Sequence, residues 1–245
     1  MREQIMSNDD IKIPVLIGGQ VQHVDLAVLL RGIVPAEVPA VWPFAVVVCQ
    51  AILARTYVLR AYGWGWRHGT EAAICDDWRH CLAYNPRKIH PLTDDAVRRT
   101  EGLVVSYGGE IARVFWSAYC GGHTRSNFEA GWVKERRYEL PYLAGVECSC
   151  SLFWAEVSDK LNEQGRFGHG IGFCQYGARA LVKQGRLEQR IKQRIGERNE
   201  LGSELGKEEE RGEFGWLELL GYYLGGGIEV CDWEGPWAKR AGAQQ

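Results

Sequence analysis

The strongest constraint on the fold is an apolar segment from Phe44 to Tyr62 in a chain of 245 residues. Wound as a helix, this segment is apolar on nearly every side, which is typical of a helix buried through the centre of a protein. Pro43 suits the first helical position. Arg55 is a polar exception, and because a buried arginine needs a partner, we expect it in a structural ion pair or at a polar cleft.

Other elements follow from short apolar runs and from glycine positions. Paired glycines predict two β-hairpins, which join residues 11–17 to 20–24 and 102–107 to 111–117. Helices are predicted over 175–184 and 214–223, and a last strand over 225–230. We therefore expect an α+β fold: a mixed sheet around the buried central helix, with an irregular Cys/His-rich lobe that borders a cleft.

The domain organisation is predicted to be simple. One domain over residues 10–235 accounts for these elements, and the ends at 1–9 and 236–245 are expected to be disordered tails. A stretch at about 186–213 is dense in charges of both signs, which indicates a solvated helix or a partly disordered insertion outside the core.

Charge and hydropathy restrict the partners. The formal net charge of −2 gives no overall attraction to nucleic acid or to an anionic membrane. No stretch reaches the roughly 20 apolar residues of a membrane span, and the polar start lacks the apolar core of a secretory signal. The eight cysteines, however, indicate disulfides in an oxidising compartment or metal sites in a reducing one, so composition leaves the compartment open.

Glu37 stands out within Pro35-Ala36-Glu37-Val38-Pro39, a segment too interrupted for a regular helix or strand. A glutamate between prolines is, on its own, best interpreted as an exposed loop acid. Apolar neighbours such as Val38 and Trp42 would instead disfavour its charged form, as they must if the carboxyl is to donate a proton near neutral pH.

Three separated motifs carry a family resemblance, and Glu37 lies in the first. They are Val34-Pro-Ala-Glu-Val-Pro-Ala-Val-Trp-Pro43 leading into Gln50-Ala-Ile-Leu-Ala-Arg-Thr-Tyr57, Thr100-Glu-Gly-Leu-Val104 followed by Ser117-Ala-Tyr-Cys-Gly-Gly-His-Thr124, and Gly168-His-Gly-Ile-Gly-Phe-Cys-Gln-Tyr-Gly-Ala178. In this order they resemble the SpoIID/LytB family, named for the stage II sporulation protein D and the amidase enhancer LytB. The resemblance covers nearly the whole chain except the charged insertion. Ala45 and Val48 stand where the family usually has Glu and Lys, and Cys174 stands where a serine is common.

The resemblance implies a lytic transglycosylase that cleaves the MurNAc–GlcNAc bond of peptidoglycan. The substrate's own 6-hydroxyl is the nucleophile, so a single carboxyl, that of Glu37, acts first as acid and then as base. Arg55 would orient Glu37 or hold a substrate group, and His169, Gln175 and Tyr176 would bind substrate. For His169, a packed position in a tight turn is an equally open interpretation.

The resemblance also implies a second function and a location. The chain would then be a non-catalytic, wall-binding enhancer of an N-acetylmuramoyl-L-alanine amidase. In either case peptidoglycan is the expected partner, and the expected location is outside the cytoplasm, in the cell wall or periplasm.

A compact group of metal-ligand residues comprises His68, Cys75, His80 and Cys81. Four such ligands would close a tetrahedral zinc site that is structural and not catalytic, because no coordination position stays open. Some relatives bind zinc through a similar Cys-x4-His-Cys segment, as the resemblance implies. The alternative is a disulfide between Cys75 and Cys81.

A looser group comprises Cys120, His123, Cys148 and Cys150. Three interpretations stay open: another metal site, a disulfide from Cys120 to Cys148 or Cys150, or unconnected thiols.

Overall fold

The computed structural model describes residues 11–64, 68–69, 71–184 and 215–233. Both predicted tails and the charged insertion at 186–213 lie outside these ranges. The described residues form two compact units: the first lies within 1–41, 50–114 and 229–245, and the second lies within 42–49 and 115–228. The expectation of one family domain over 10–235 is not tested by this division and stays a prediction.

The predicted α+β class is confirmed by six helices and mixed sheets in the described part of the chain. The helices are α1 (Leu26–Glu37), α2 (Phe44–Trp64), α3 (Pro91–Arg99), α4 (Trp154–Val157), α5 (Gln175–Gln184) and α6 (Trp216–Leu224). The strands are β1 (Lys12–Ile17), β2 (Gln20–Asp25), β3 (Ile74–Cys75), β4 (Leu103–Tyr107), β5 (Glu110–Ile111), β6 (Trp116–Ser117), β7 (Phe173–Cys174) and β8 (Ile228–Asp232).

The first unit begins with the predicted hairpin of β1 and β2. Its turn is Gly18-Gly19, and both glycines have positive φ, the left-handed backbone that suits a residue without a side chain. Strand β3 pairs in parallel with β1, which makes the sheet β2-β1-β3 a mixed one. This sheet therefore holds Cys75, the last residue of β3, beside the end of β1.

Helix α1 corrects the expectation that the Pro35–Pro39 segment is irregular. The helix continues through Pro35 and ends at Glu37. Its buried stripe of Leu26, Leu29, Leu30, Ile33 and Val34 has helical spacing up to the proline, so packing of this stripe outweighs the one hydrogen bond that proline removes. Val38 then turns to extended backbone, as a residue before proline prefers.

Helix α2 confirms the predicted central helix, two residues longer than expected at its C-terminal end. Its length and mean hydropathy of 1.5 would allow it to cross a membrane, which corrects the expectation that no segment is long and apolar enough. However, 72% of the relevant window is buried within the protein, as in a core helix.

The second predicted hairpin is confirmed only in its first part. Strands β4 and β5 turn at Gly108-Gly109, and β8 completes the sheet β5-β4-β8. The second strand ends at Ile111 instead of continuing to Ser117, because β6 pairs with β7 in the second unit. Helices α5 and α6 and strand β8 lie close to their predicted positions, whereas α3 was not predicted.

Candidate active site and metal centres

The carboxyl of Glu37 is half-buried at the C-terminal end of α1. Its Oε1 accepts a hydrogen bond from the backbone N–H of Ala83 at 2.7 Å. Both an ionised carboxylate and the carbonyl oxygen of a protonated carboxyl can accept such a bond, so the contact fixes position in either state. Glu37 is therefore held in place, and is not an exposed loop acid.

The loop that holds Glu37 is itself fastened to α1. The N–H of Asn85 donates to the carbonyl oxygen of Gly32 at 3.0 Å. The ring of Tyr84 lies so close to Gly32 that a Cβ at this position would overlap with it. Only glycine at position 32 allows this approach, and the approach brings Ala83 within reach of Glu37.

Arg55 is fully buried, with 0% of its surface exposed. Its Nη1 donates to Oγ1 of Thr100 at 3.1 Å, and its Nη2 donates to the carbonyl oxygen of Val97 at 3.0 Å. These bonds join α2 to the C-terminal end of α3. The burial favours a structural task for Arg55, and direct substrate contact stays a prediction that this geometry does not support.

The structure brings together the four predicted metal ligands, hereafter the Cys/His cluster: His68, Cys75, His80 and Cys81. One ligand atom from each lies within 4.8 Å of all the others. Nδ1 of His80 is 3.5 Å from Sγ of Cys75 and 3.3 Å from Sγ of Cys81, and Nε2 of His68 is 3.6 Å from Sγ of Cys81. Around tetrahedral zinc, with Zn–S and Zn–N bonds of about 2.3 and 2.0 Å, nitrogen and sulfur are separated by about 3.5 Å. The donor set therefore fits zinc, and no disulfide joins Cys75 to Cys81.

The turn from β3 to Cys81 gives the Cys/His cluster its shape. The N–H of Cys81 donates to the carbonyl oxygen of Asp77 at 2.8 Å, and the N–H of Arg79 donates to Oδ1 of Asp77 at 2.9 Å. Only one residue, the buried Leu82, separates Cys81 from Ala83. The cluster and the Glu37 contact thus share one short segment of backbone.

A second group of thiols lies in the second unit, hereafter the four-cysteine cluster: Cys120, Cys148, Cys150 and Cys174. All four Sγ atoms lie within 4.8 Å of one another. This corrects the predicted membership, because Cys174 takes the place expected for His123. Residue 123 is exposed and forms a β-bridge with Glu147.

Crowding of the four thiols perturbs their protonation. Hydrogen bonds from neighbouring thiols, first that of Cys120, lower the pKa of Cys150 well below its usual range. Hydrogen bonds to Cys148 and Cys150 raise the pKa of Cys120, and burial raises the pKa of Cys174. These shifts favour negative charge on the sulfur of Cys150 and the protonated form of Cys120 and Cys174.

His169 lies in an aromatic setting in the second unit. Its ring contacts those of Phe115 and Trp132, with centroids 6.2 and 4.9 Å away, and Trp132 is 49% exposed. Burial, followed by the charge of Arg125, lowers the pKa of His169 to about 4. Nδ1 accepts the N–H of Ile171 at 3.0 Å, so the proton of the neutral ring lies on Nε2. His169 can therefore donate a hydrogen bond at neutral pH but does not carry a charge there.

Gln175 and Tyr176 begin α5 and have different environments. Gln175 is 4% exposed, which leaves little of it for a substrate to contact. The half-buried ring of Tyr176 meets that of Trp42 edge to face at 4.7 Å. The guanidinium of Arg179 lies 4.8 Å from the same Trp42 ring and forms an ion pair with Glu156 at 2.6 Å. His169 and Tyr176 thus pack against different aromatic rings, and their predicted contacts with substrate stay predictions.

Residues 18–107 match the family described as Stage II sporulation protein (SpoIID). The resemblance to the SpoIID/LytB family is confirmed. The matched SpoIID range contains Glu37, Arg55 and the whole Cys/His cluster, and it excludes His169, Gln175 and Tyr176.

Two relatives share part of the chain. An uncharacterised protein of Brachyspira hyodysenteriae is 30% identical over 128 residues, which cover 51% of this chain and 33% of that protein. A protein of Bacillus subtilis named amidase enhancer is 28% identical over 114 residues, which cover 46% of this chain and 14% of that protein. The chain thus spans less than two thirds of the length of either relative.

Proposed function

We propose that this protein acts on the bacterial cell wall as a lytic transglycosylase, with Glu37 as its single acid/base. The observation that carries the proposal is the fixed, half-buried carboxyl of Glu37, held by the amide of Ala83 inside the matched SpoIID range. The coarser part, a role connected with the cell wall, is supported by the family match and by the relative named amidase enhancer. Such a role requires a location outside the cytoplasm.

The reaction needs one proton donor that later becomes an acceptor. The protonated carboxyl of Glu37 donates to the glycosidic oxygen, and the bond from that oxygen to C1 of MurNAc breaks. The O6 hydroxyl of the same MurNAc then attacks C1, and its proton passes to the Glu37 carboxylate. The products are a free GlcNAc 4-hydroxyl and a 1,6-anhydro-MurNAc end, and no water is consumed. The proton balance closes on Glu37, so no second carboxylate is needed.

The Cys/His cluster is assigned to structural zinc. When bound, the ion would supply no reaction chemistry, because four protein ligands complete its coordination shell. The segment from His80 to Ala83 would be ordered by its own two ligands, and the Ala83 N–H would then stay aimed at Glu37. The metal would therefore only position the Ala83 N–H, and Glu37 would perform the proton transfer.

Product analysis tests the proposal. Purified peptidoglycan is incubated with the protein, and the soluble fragments are analysed by mass spectrometry. Wild type and Glu71→Gln, a matched exposed glutamate, are expected to release 1,6-anhydro ends, whereas Glu37→Gln is expected to release none. Equal anhydro products from the Glu37→Gln variant, or hydrolytic reducing ends from wild type, would contradict the proposal.

A second candidate function is enhancement of a wall amidase without glycan cleavage. It is favoured by the name of the Bacillus subtilis relative, amidase enhancer. Under this alternative, Glu37→Gln stimulates an N-acetylmuramoyl-L-alanine amidase as strongly as wild type and sediments equally with cell walls. Loss of anhydro ends without loss of amidase stimulation would separate the two activities in one chain.

A further inference from the structure

We propose that the four-cysteine cluster is a second metal site, which binds one zinc ion tetrahedrally through four thiolates. The site is distinct from the Cys/His cluster by residues and by unit. It belongs to no predicted catalytic step, and the inference does not rest on the proposed glycan chemistry.

The geometry of the sulfurs carries the inference. Sγ of Cys120 and Sγ of Cys150 lie 3.6 Å apart, and all four sulfurs lie within 4.8 Å of one another. Tetrahedral zinc with Zn–S bonds of about 2.3 Å separates its sulfurs by about 3.8 Å. A disulfide requires about 2.05 Å, and all four cysteines are free thiols. The arrangement therefore matches one small ion at the centre of the four.

The surroundings of the sulfurs suit thiolates. The N–H of Gly122 donates to Sγ of Cys150 at 3.3 Å, and the hydroxyl of Tyr223 lies 3.4 Å from Sγ of Cys148. Such donors offset the negative charge that four thiolates leave around a divalent ion. One contact would be lost: Sγ of Cys174 lies 3.6 Å from the carbonyl oxygen of Ala118, and its proton would leave on metal binding.

Space and access are also present. A Cβ at Gly177 would overlap with Sγ of Cys148 and with the hydroxyl of Tyr223, so glycine there keeps the site open. Cys148 is 8% exposed and lines a surface pocket of about 420 Å³ together with Glu147 and Ser149. The other three cysteines are more deeply buried. An ion could therefore enter past Cys148, and the thiol protons could leave to solvent by the same route.

Zinc is favoured over an iron–sulfur group by the closeness of the sulfurs. A cluster of several irons bridged by sulfide holds its thiolates on different metal atoms, and so farther apart than one ion does.

A single ion also joins three parts of the second unit that are distant in sequence: the loop after β6, the 3₁₀ segment Ser149–Phe153 and the end of β7. Its bond to Cys174 would anchor the start of α5, where Gln175 and Tyr176 lie.

Metal content per chain tests the inference. The full chain is purified under reducing conditions, and zinc and iron are measured by mass spectrometry of the dissolved metals. We expect two zinc ions per wild-type chain, one in Cys174→Ser, one in Cys75→Ser and none in the double variant. Cys231→Ser, a half-buried thiol outside both clusters, is the matched control and should keep two.

A spectroscopic measurement covers the case in which Cys174→Ser does not fold. Cobalt is substituted into Cys75→Ser, which leaves the four-cysteine cluster as the intact site. Strong sulfur-to-cobalt charge-transfer absorption, with the intensity of four thiolates, supports the proposal. A zinc count unchanged by Cys174→Ser, iron in place of the second zinc, or no cobalt bound by Cys75→Ser would overturn it.

Discussion

Oε1 of Glu37 and the N–H of Ala83 are 2.7 Å apart, and Ala83 follows Cys81 by two residues. A few backbone atoms therefore separate Cys81, a proposed zinc ligand, from the N–H that binds the proposed acid/base Glu37. A change at the metal should reach the carboxyl through this segment.

Removing the hydrogen-bond donor without touching Glu37 should reduce activity. Ala83→Pro has no N–H, so the carboxyl loses its described backbone contact. We expect anhydro-product formation to fall roughly tenfold, the factor that corresponds to about 1.4 kcal/mol for one such bond. Ala83→Gly keeps the N–H and is the control. Equal rates for the two variants would show that this bond does not position the carboxyl.

Metal removal should loosen the segment around Ala83. A chelator, or Cys75→Ser, is expected to increase hydrogen exchange at residues 76–85, because the Cys/His cluster no longer closes this turn. Exchange is measured by mass spectrometry on peptides from wild type, from Cys75→Ser and from the control Cys231→Ser, with and without chelator. The prediction fails if chelation leaves exchange in 76–85 unchanged while the metal is demonstrably lost.

Arg55 should act on stability and not on substrate affinity. Arg55→Lys cannot reach both Thr100 and Val97, and we expect the free energy of unfolding to fall by about 1–3 kcal/mol. Arg31→Lys, in an exposed ion pair with Asp94, should cost less than about 1 kcal/mol. Both are measured by urea unfolding. A raised KM for glycan in folded Arg55→Lys would instead support the substrate-binding interpretation.

Because of His169, the free energy of unfolding of the protein should fall as the solution is acidified. Its pKa is lowered to about 4 in the folded protein, against about 6.5 unfolded. The unfolded chain therefore binds the extra proton first, and stability falls as pH drops from about 6.5 to 4, by up to about 3 kcal/mol. Unfolding free energies of wild type and His169→Asn are compared across this range, with the imidazole pKa measured by NMR. An NMR pKa at or above 6.5 would contradict the assignment.

A side chain at Gly177 should disturb the four-cysteine cluster. The added methyl of Gly177→Ala meets Cys148 and Tyr223, and we expect a loss of about 1–3 kcal/mol of stability together with a lower zinc count. Gly226→Ala is the control, since a Cβ there meets nothing within 4 Å. Identical unfolding curves and zinc counts for the two variants would show that the cluster tolerates this group.

Local patterns predicted much of the fold. The first hairpin follows from Gly18-Gly19, and α2 follows from an apolar segment that no exposed helix would carry. The four Cys/His ligands lie within fourteen residues, so their convergence needs only one turn of chain. Helix α1 was not predicted, because Pro35 and Pro39 locally oppose a helix, whereas the buried apolar stripe that precedes Pro35 stabilises one.

Long-range contacts were beyond the sequence patterns. Cys174 joins the four-cysteine cluster from 24 residues after Cys150, and the β6–β7 pairing places it beside Ser117, at the start of the loop that carries Cys120. The Ala83 amide has no sequence signal at all, because every residue except proline offers the same N–H. The sequence shows a cysteine at position 174, but no local sequence pattern predicts that it lies near Cys120.

Six of the eight cysteines converge in the two clusters, and within each cluster the thiols are close enough to be linked in pairs after small shifts. An ion bound by a full set of thiolates withdraws them from oxidation. The cysteines of the chain would therefore end as zinc ligands or as disulfides, depending on whether zinc or an oxidant reaches them first. Zinc binding before exposure to an oxidising compartment would preserve both clusters, and the reverse order would trap their cysteines in disulfides.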